Sequence, residues 1–236
     1  FADVANAREN GVYGKMYQMI AKGLFANTED ARNAYLRDAE YRNTDWFDIL
    51  FQDNIMQNHS VSISSGNEKA NYYASLSALI DPGWSKQSKV NRYTANVNAT
   101  YNILSNLSLN MITSGSYRKQ RAPGTLASNI DAVNGEVKRD FDINPYSYAL
   151  NTSRALDPNT YYTRNYAEFN ILHELENNTM DINLADLKFQ AEMKWKPVKG
   201  LELSALGAVK YQATSQEHNI TDFSNQAMAY RTMPTT

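Results

Sequence analysis

The residues with the richest side-chain chemistry are too scattered in this sequence to form a recognisable catalytic or metal-binding centre. The three histidines, His59, His173 and His218, lie far apart, and there is no cysteine. A disulfide framework or a thiolate metal site is therefore excluded, and no histidine is paired with a serine or cysteine nucleophile. We expect no enzyme activity, no catalytic residue, no metal site and no cofactor.

Aromatic and arginine side chains are concentrated in one long segment, at about 119–178, and they supply the candidate binding chemistry. Aromatic faces stack on sugar rings, and arginine donates hydrogen bonds to hydroxyl or peptide oxygens. A loop of this length is usually functional. The alternative is that these aromatic residues pack the loop against itself or against a partner protein. The candidates for contact with a ligand or partner are Arg121, Tyr146, Tyr148, Tyr161 and Tyr162 in this segment, together with Trp84, which follows the turn at 81–83.

Helical patterns dominate the first 56 residues. Apolar residues at spacings of three and four, from Tyr13 to Leu24, predict one helix, and the acids after Thr28 predict the start of a second. Asp45 is placed to cap a short apolar turn over 46–51. We therefore divide the chain into a mainly helical connection at 1–56 and a strand region at 57–236.

The strand region alternates apolar and polar residues with a period of two, which predicts strands with two different faces. Six such strands are visible, separated alternately by short turns near 66, 104 and 198 and by longer connections near 84, at 119–178 and after 213. Their apolar rows are His59–Ile63, Tyr72–Ile80, Tyr93–Tyr101, Leu107–Tyr117, Leu187–Trp195 and Leu201–Tyr211.

These rows favour the wall of an outer-membrane β-barrel. Such barrels join their strands by short periplasmic turns and long extracellular loops, and place aromatic residues at the two ends of an apolar band. The opposite row Lys188, Gln190, Glu192 and Lys194 suits a wet lumen. Aromatic residues stand at the row ends at Tyr72, Tyr93, Tyr101, Tyr117, Trp195 and Tyr211.

Composition leaves a second fold open. The chain has 16 tyrosines, a net charge of -2 and a mean hydropathy of -0.58. A net charge this small predicts no electrostatic affinity for nucleic acid or for anionic membrane surfaces, and no apolar run reaches the roughly 18 residues of a membrane-spanning helix. A barrel fits, since only alternate strand residues need be apolar. A soluble, secreted, glycan-binding β-sandwich has a similar composition and stays the alternative.

Several segments, in the right order, resemble the barrel of SusC/RagA-type TonB-linked outer-membrane transporters of Bacteroidetes. The first two, a capped aromatic turn and a Ser-rich strand start, look like the entry to the barrel, and the others follow along the chain. They are Asn43–Phe47, Met56–Gly66, Lys69–Leu76, Asn144–Leu150, Trp195–Leu201 and Ser224–Arg231.

The resemblance implies an active importer of oligosaccharides or peptides. It implies a barrel of about 22 strands, of which this chain supplies about six, together with an N-terminal plug. It also implies a SusD-type surface lipoprotein as lid and energy supplied through TonB. The chain begins at Phe1 and its last residues do not look like a strand, so we expect an interior segment of such a protein.

Overall fold

Six long strands form one antiparallel sheet in which every strand pairs with the next long strand along the chain. The structure is a computed structural model that describes residues 11–126, 129–131, 136–138, 141–142, 144–164 and 167–232; the closing residues 233–236 lie outside it. The sheet order is β1-β2-β3-β4-β11-β12. The long strands are β1 (Gln57–Gly66), β2 (Ala70–Asp81), β3 (Lys89–Leu104), β4 (Leu107–Pro123), β11 (Asn178–Val198) and β12 (Leu201–Ile220).

Shorter elements occupy the connections. The helices are α1 (Val12–Ala21), α2 (Glu29–Tyr41), α3 (Trp46–Leu50), α4 (Pro145–Asn151), α5 (Ile171–Asn177) and α6 (Asn225–Thr232). The short strands are β5 (Thr125–Leu126), β6 (Asn129–Asp131), β7 (Glu136–Lys138), β8 (Phe141–Asp142), β9 (Tyr162–Arg164) and β10 (Ala167–Phe169). None of the described helices is both long and apolar enough to cross a membrane.

The prediction of an antiparallel sheet with helical connecting segments is confirmed, and the sheet has the form of a piece of a β-barrel wall. Connection lengths alternate: residues 67–69, 105–106 and 199–200 turn tightly at one end, whereas the longer connections from β2 to β3 and from β4 to β11 leave the sheet at the other. We call the second end the long-loop end.

Strand register places all the predicted apolar rows on one side of the sheet, which we call the apolar face. Ile63 pairs with Ala74, Ala74 with Val97, Val97 with Thr113, and so on across the sheet to Phe189 and Val209. The neighbouring row, from Ser62 to Lys210, lies on the opposite polar face. Val97 is 50% exposed and Val209 69% exposed, so in the part of the chain described no second layer covers this face.

The buried hydrophobic core of the described residues lies at the long-loop end and not against the sheet. Trp46 and Leu50 of α3 are buried there with residues of α4, β9, β10 and α5. Thr44 donates a hydrogen bond through its Oγ1 to the carbonyl oxygen of Leu156 at 2.7 Å, and Trp46 donates through Nε1 to that of Ser153 at 3.0 Å. These bonds join the helical segment before β1 to the long connection between β4 and β11.

Hydrogen bonds to the buried carboxylate of Glu174 join the segment after β12 to the same region. The carboxylate of Glu174, in α5, accepts hydrogen bonds from the backbone N–H of Asn225 at 2.7 Å and from Nδ2 of Asn178 at 3.2 Å. The side chain of Asn178 also contacts Nε2 of His218 at 2.6 Å. The start of β11, the end of β12 and α6 are therefore held together at the long-loop end.

Candidate functional site

Four aromatic side chains form a cluster on the surface of the long-loop end. Trp84 lies parallel to Phe51, with ring centroids 4.7 Å apart and an interplanar angle of 8°. Tyr146 contacts Trp84 edge-to-face at 6.1 Å and Phe47 at 5.9 Å. We call Phe47, Phe51, Trp84 and Tyr146 the exposed aromatic cluster.

Helix α3 divides its side chains between this cluster and the core. Asp45 caps the helix, and its Oδ1 accepts hydrogen bonds from the N–H groups of Phe47 and Asp48 at 3.0 and 3.3 Å. Trp46 and Leu50, four residues apart, face the core, while Phe47 faces outward. Phe47 stacks on Phe51, which follows the helix and also packs against the edge of the core. Because side chains four apart share one side of a helix, one short capped turn serves both surfaces.

The turn after β2 brings Trp84 against Phe51. The backbone N–H of Gln52 donates to the carbonyl oxygen of Trp84 at 2.9 Å, and that of Lys86 donates to Leu50 at 3.0 Å. Gly83 has a φ of +77°, and a Cβ there would lie 2.3 Å from the carbonyl oxygen of Ser88. This close approach and the positive φ require glycine at the position.

Helix α4 presents Tyr146 to the cluster and Tyr148 to the core. The side chain of Asn144 caps the helix by accepting hydrogen bonds from the N–H groups of Tyr146 and Ser147, both at 3.1 Å. Tyr146 is 49% exposed. Tyr148 packs edge-to-face on Trp46 at 5.2 Å, within the core.

The other predicted site residues lie apart from the cluster. Tyr162 is buried, and its hydroxyl accepts a hydrogen bond from the N–H of Asp157 at 2.9 Å; burial raises the pKa of Tyr162. Tyr161 contacts the ring of His173 at 5.7 Å. Arg121 lies on the apolar face of β4, where its guanidinium donates two hydrogen bonds to Asp181 at 3.0 and 3.1 Å.

The structure thus unites two of the six predicted residues, Trp84 and Tyr146, and adds Phe47 and Phe51. The sequence contained a signal for these additions. Trp46 and Leu50 form one pair at a spacing of four, and Phe47 and Phe51 form a second pair that is offset by one residue, so the two pairs lie on different sides of a short helix. The cluster offers flat, partly exposed rings that can stack on a sugar ring or on an aromatic or proline side chain.

Comparison with known proteins supports the fold without assigning a family. No family model and no curated protein matches the sequence. The similar solved structures include the RagAB peptide importer in the closed-closed state, the RagAB peptide transporter, and the RagAB peptide importer in the open-open state. Their TM-scores are 0.59, 0.59 and 0.56, at 18%, 15% and 16% identity.

The matched region is nearly all of this chain and a minor part of the similar chains. The matches cover 90%, 89% and 92% of the present chain but only 24% of each similar chain. At these identities the likeness concerns the fold, and the chain spans about a quarter of the length of the structures it matches.

Proposed function

We propose that this chain is part of the wall of a TonB-dependent outer-membrane importer of peptide or oligosaccharide nutrients. The observation that carries the proposal is the apolar face, which is exposed or partly exposed across all six long strands and is bounded by aromatic residues. On β3 these are Tyr93 and Tyr101, eight residues apart. At about 3.3 Å per residue and a tilt of about 40°, they stand roughly 20 Å apart along the membrane normal, close to the apolar band of such barrels.

The two free edges of the sheet support a larger barrel. β1 and β12 each lack a partner on one side among the described strands. Unpaired backbone groups are not tolerated in lipid, so a wall of six strands needs further strands to close. The similarity to much longer importer chains agrees with this requirement, and about 22 strands is the size reached by plugged outer-membrane transporters.

The exposed aromatic cluster is the proposed contact site for cargo or for a lid protein. With short turns toward the periplasm, the long-loop end faces the cell exterior, where nutrient arrives. Two of the similar structures are of a peptide importer, which favours peptide cargo. The family resemblance adds a SusD-type lipoprotein on this surface, and TonB acting through a plug region.

No observation favours the soluble β-sandwich over this arrangement. A sandwich would bury the apolar face against a second sheet. Within the described residues that face is uncovered, and the buried core lies in the loops.

Uptake by a deletion strain tests the proposal. Cells lacking the gene should lose growth on a defined peptide or oligosaccharide mixture, and loss of TonB should have the same effect. The full-length variant Trp84→Ala/Tyr146→Ala should restore the barrel but not normal uptake, whereas Tyr230→Ala, an exposed aromatic residue outside the cluster, should restore both. Growth that is indifferent to both the gene and TonB on every mixture would overturn the proposal.

A further inference from the structure

The apolar face carries a group of cationic residues just beyond its aromatic boundary at the long-loop end. These residues lie on β3 and β4, where the register sets each pair side by side. Lys89 and Lys119 are exposed. The successive pairs are Tyr93 with Tyr117, Asn91 with Lys119, and Lys89 with Arg121. We call Lys89, Lys119 and Arg121 the basic patch.

The basic patch carries three cations and a single neighbouring carboxylate, Asp181, which also interacts electrostatically with Lys119. Arg121 is paired with Asp181 on the next strand. Among the residues that the structure describes, Lys89 and Lys119 form no salt bridge. The patch therefore keeps a surplus of two positive charges.

A shallow depression lies on the same face directly below the tyrosine pair. It has a volume of about 720 Å³ and is lined by parts of three rows of the sheet. The rows that contain Tyr93 and Ala95 belong to the apolar face, and their side chains form the walls. The row between them, which contains Thr94, forms the floor, so the depression opens on the apolar side. It is lined on that side by His59, Val61, Leu76, Ala78, Tyr93, Ala95, Gly115 and Tyr117.

Small residues create this depression. Ala78, Ala95 and Gly115 leave space that the larger neighbours Leu76 and Tyr117 border. A Cβ at Gly115 would lie 3.6 Å from Leu187 Cδ1 and 3.8 Å from the carbonyl oxygen of Asp186, both ordinary van der Waals distances. The position therefore tolerates a side chain, and the space above it can be filled deliberately.

We infer that the depression and the basic patch together bind an anionic, phosphate-bearing lipid of the outer leaflet. An acyl chain lies in the depression, and the phosphate contacts Lys89, Lys119 and Arg121 one to two residue pairs above the tyrosines. This inference rests on the proposed function, because that function places the apolar face against lipid and the long-loop end outside. Long basic side chains extend their stems over apolar surface and hold their charge at headgroup level.

The polar face provides a matched control. Arg92 and Arg118 are paired in register on the same two strands, at the same end, but on the opposite face. Removing their charges changes the net charge as much as removing those of Lys89 and Lys119 does. If lipid binds on the apolar face, only the lysine pair affects it.

Binding is tested with the full-length protein in detergent micelles, by native mass spectrometry with bisphosphorylated lipid A. Parallel arms use phosphatidylcholine, which has acyl chains but no net charge, and inorganic phosphate, which has no chains. Lipid A should give a retained one-to-one adduct. Lys89→Gln/Lys119→Gln should weaken it by about tenfold or more, since each basic residue near the surface contributes to anionic lipid binding. Arg92→Gln/Arg118→Gln should leave it unchanged, and Gly115→Leu should weaken it with the basic patch intact.

Other outcomes overturn the inference. Equal binding of phosphatidylcholine would indicate ordinary boundary lipid, and competition by inorganic phosphate alone would indicate a free-anion site. An equal loss of lipid A binding in Lys89→Gln/Lys119→Gln and Arg92→Gln/Arg118→Gln would indicate non-specific electrostatic attraction. A nitroxide label at Val97 distinguishes failure of this inference from failure of the proposed function. If the label contacts lipid but lipid A does not bind, this inference is refuted and the proposed barrel wall is unaffected. If the label does not contact lipid, the proposed function itself is refuted.

Discussion

Placing an arginine at Val97 should destabilise the folded protein far more than placing one at the adjacent Asn96. Val97 lies on the apolar face, four residues from both Tyr93 and Tyr101. Four residues of a strand tilted by about 40° cover roughly 10 Å of depth, so Val97 is near the middle of the apolar layer. An arginine at that depth costs about 2–4 kcal/mol. The folding equilibrium should fall by roughly thirtyfold to several-hundredfold.

The control variants use the same strand. In Asn96→Arg the new arginine lies on the polar face. The substitution removes the hydrogen bond of 3.3 Å from Asn96 to Ser75, which should lower the free energy of unfolding by about 1 kcal/mol or less. Tyr101→Arg, at the edge of the layer, should cost about 0–1 kcal/mol of charge burial. The full-length protein is refolded from urea into phosphatidylcholine vesicles, and the folded fraction is read by heat-modifiable gel migration. Equal costs for Val97→Arg and Asn96→Arg would refute the assignment of the faces.

Three further predictions concern the long-loop end. Asp45→Ala removes the cap of α3 and should raise local amide exchange there by about fivefold, for a loss of about 1 kcal/mol, whereas Asp45→Asn should retain the cap. Gly83→Ala should lower local stability by about 1 kcal/mol or more, because of its φ of +77° and the nearby Ser88 carbonyl oxygen, and should red-shift the emission of Trp84. Burial raises the pKa of Tyr162, although the hydrogen bond from Asp157 opposes this shift. The folded protein therefore favours the neutral phenol, and the stability gained from burying it is present below a pH of about 10 and lost as the pH rises above that value. Tyr162→Phe should reduce the alkaline loss of stability seen by circular dichroism.

Each of these predictions has its own contrary result. Unchanged exchange at α3 in Asp45→Ala would mean that tertiary contacts alone hold the helix. An unchanged Trp84 spectrum in Gly83→Ala would mean that the turn adapts without moving the cluster. An alkaline transition identical in Tyr162→Phe and the parent protein would mean that another group controls it.

The faces of the strands were predictable from the sequence, whereas their ends at the long-loop side were not. Alternation identified the rows around Val97 and Phe189 because one face is apolar and the other polar. β11 starts at Asn178, nine residues before the predicted start at Leu187, and β12 runs to Ile220, beyond Tyr211. Beyond Tyr211 both faces of β12 are polar, and at the start of β11 the apolar residues Met180, Ile182 and Leu184 lie on the opposite face. The alternation that marks the apolar face therefore ends there, although the backbone pairing continues.

The prediction of an irregular segment from 119 to 178 also changes in the structure. β4 continues to Pro123, and two short helices, α4 and α5, occupy part of the remainder. Asn144 and Asn170 cap these helices with their side chains. Short capped helices carry too few residues to show a helical period, and the core packing that stabilises them comes from Trp46 and Leu50, far away in sequence.

The candidate site was predictable in part for the same reason. Trp84 and Tyr146 could be selected as aromatic residues in loops. The sequence does not distinguish Tyr146 from Tyr148, since both lie in one short helix and only contact with Trp46 decides which is buried. The pairing of residues 50–52 with 84–86, which assembles the cluster, is a long-range contact without a local signature.

A spin-label scan of β3 tests the barrel wall most directly. The chain has no cysteine, so single cysteines can be placed at each position from Tyr93 to Tyr101 of the full-length protein in bilayers. We predict that labels at odd positions collide with lipid-soluble oxygen, most strongly at Val97, while labels at even positions collide with a water-soluble nickel complex. Odd positions shielded from both reagents would show a dry core shared by two sheets, and would contradict the account.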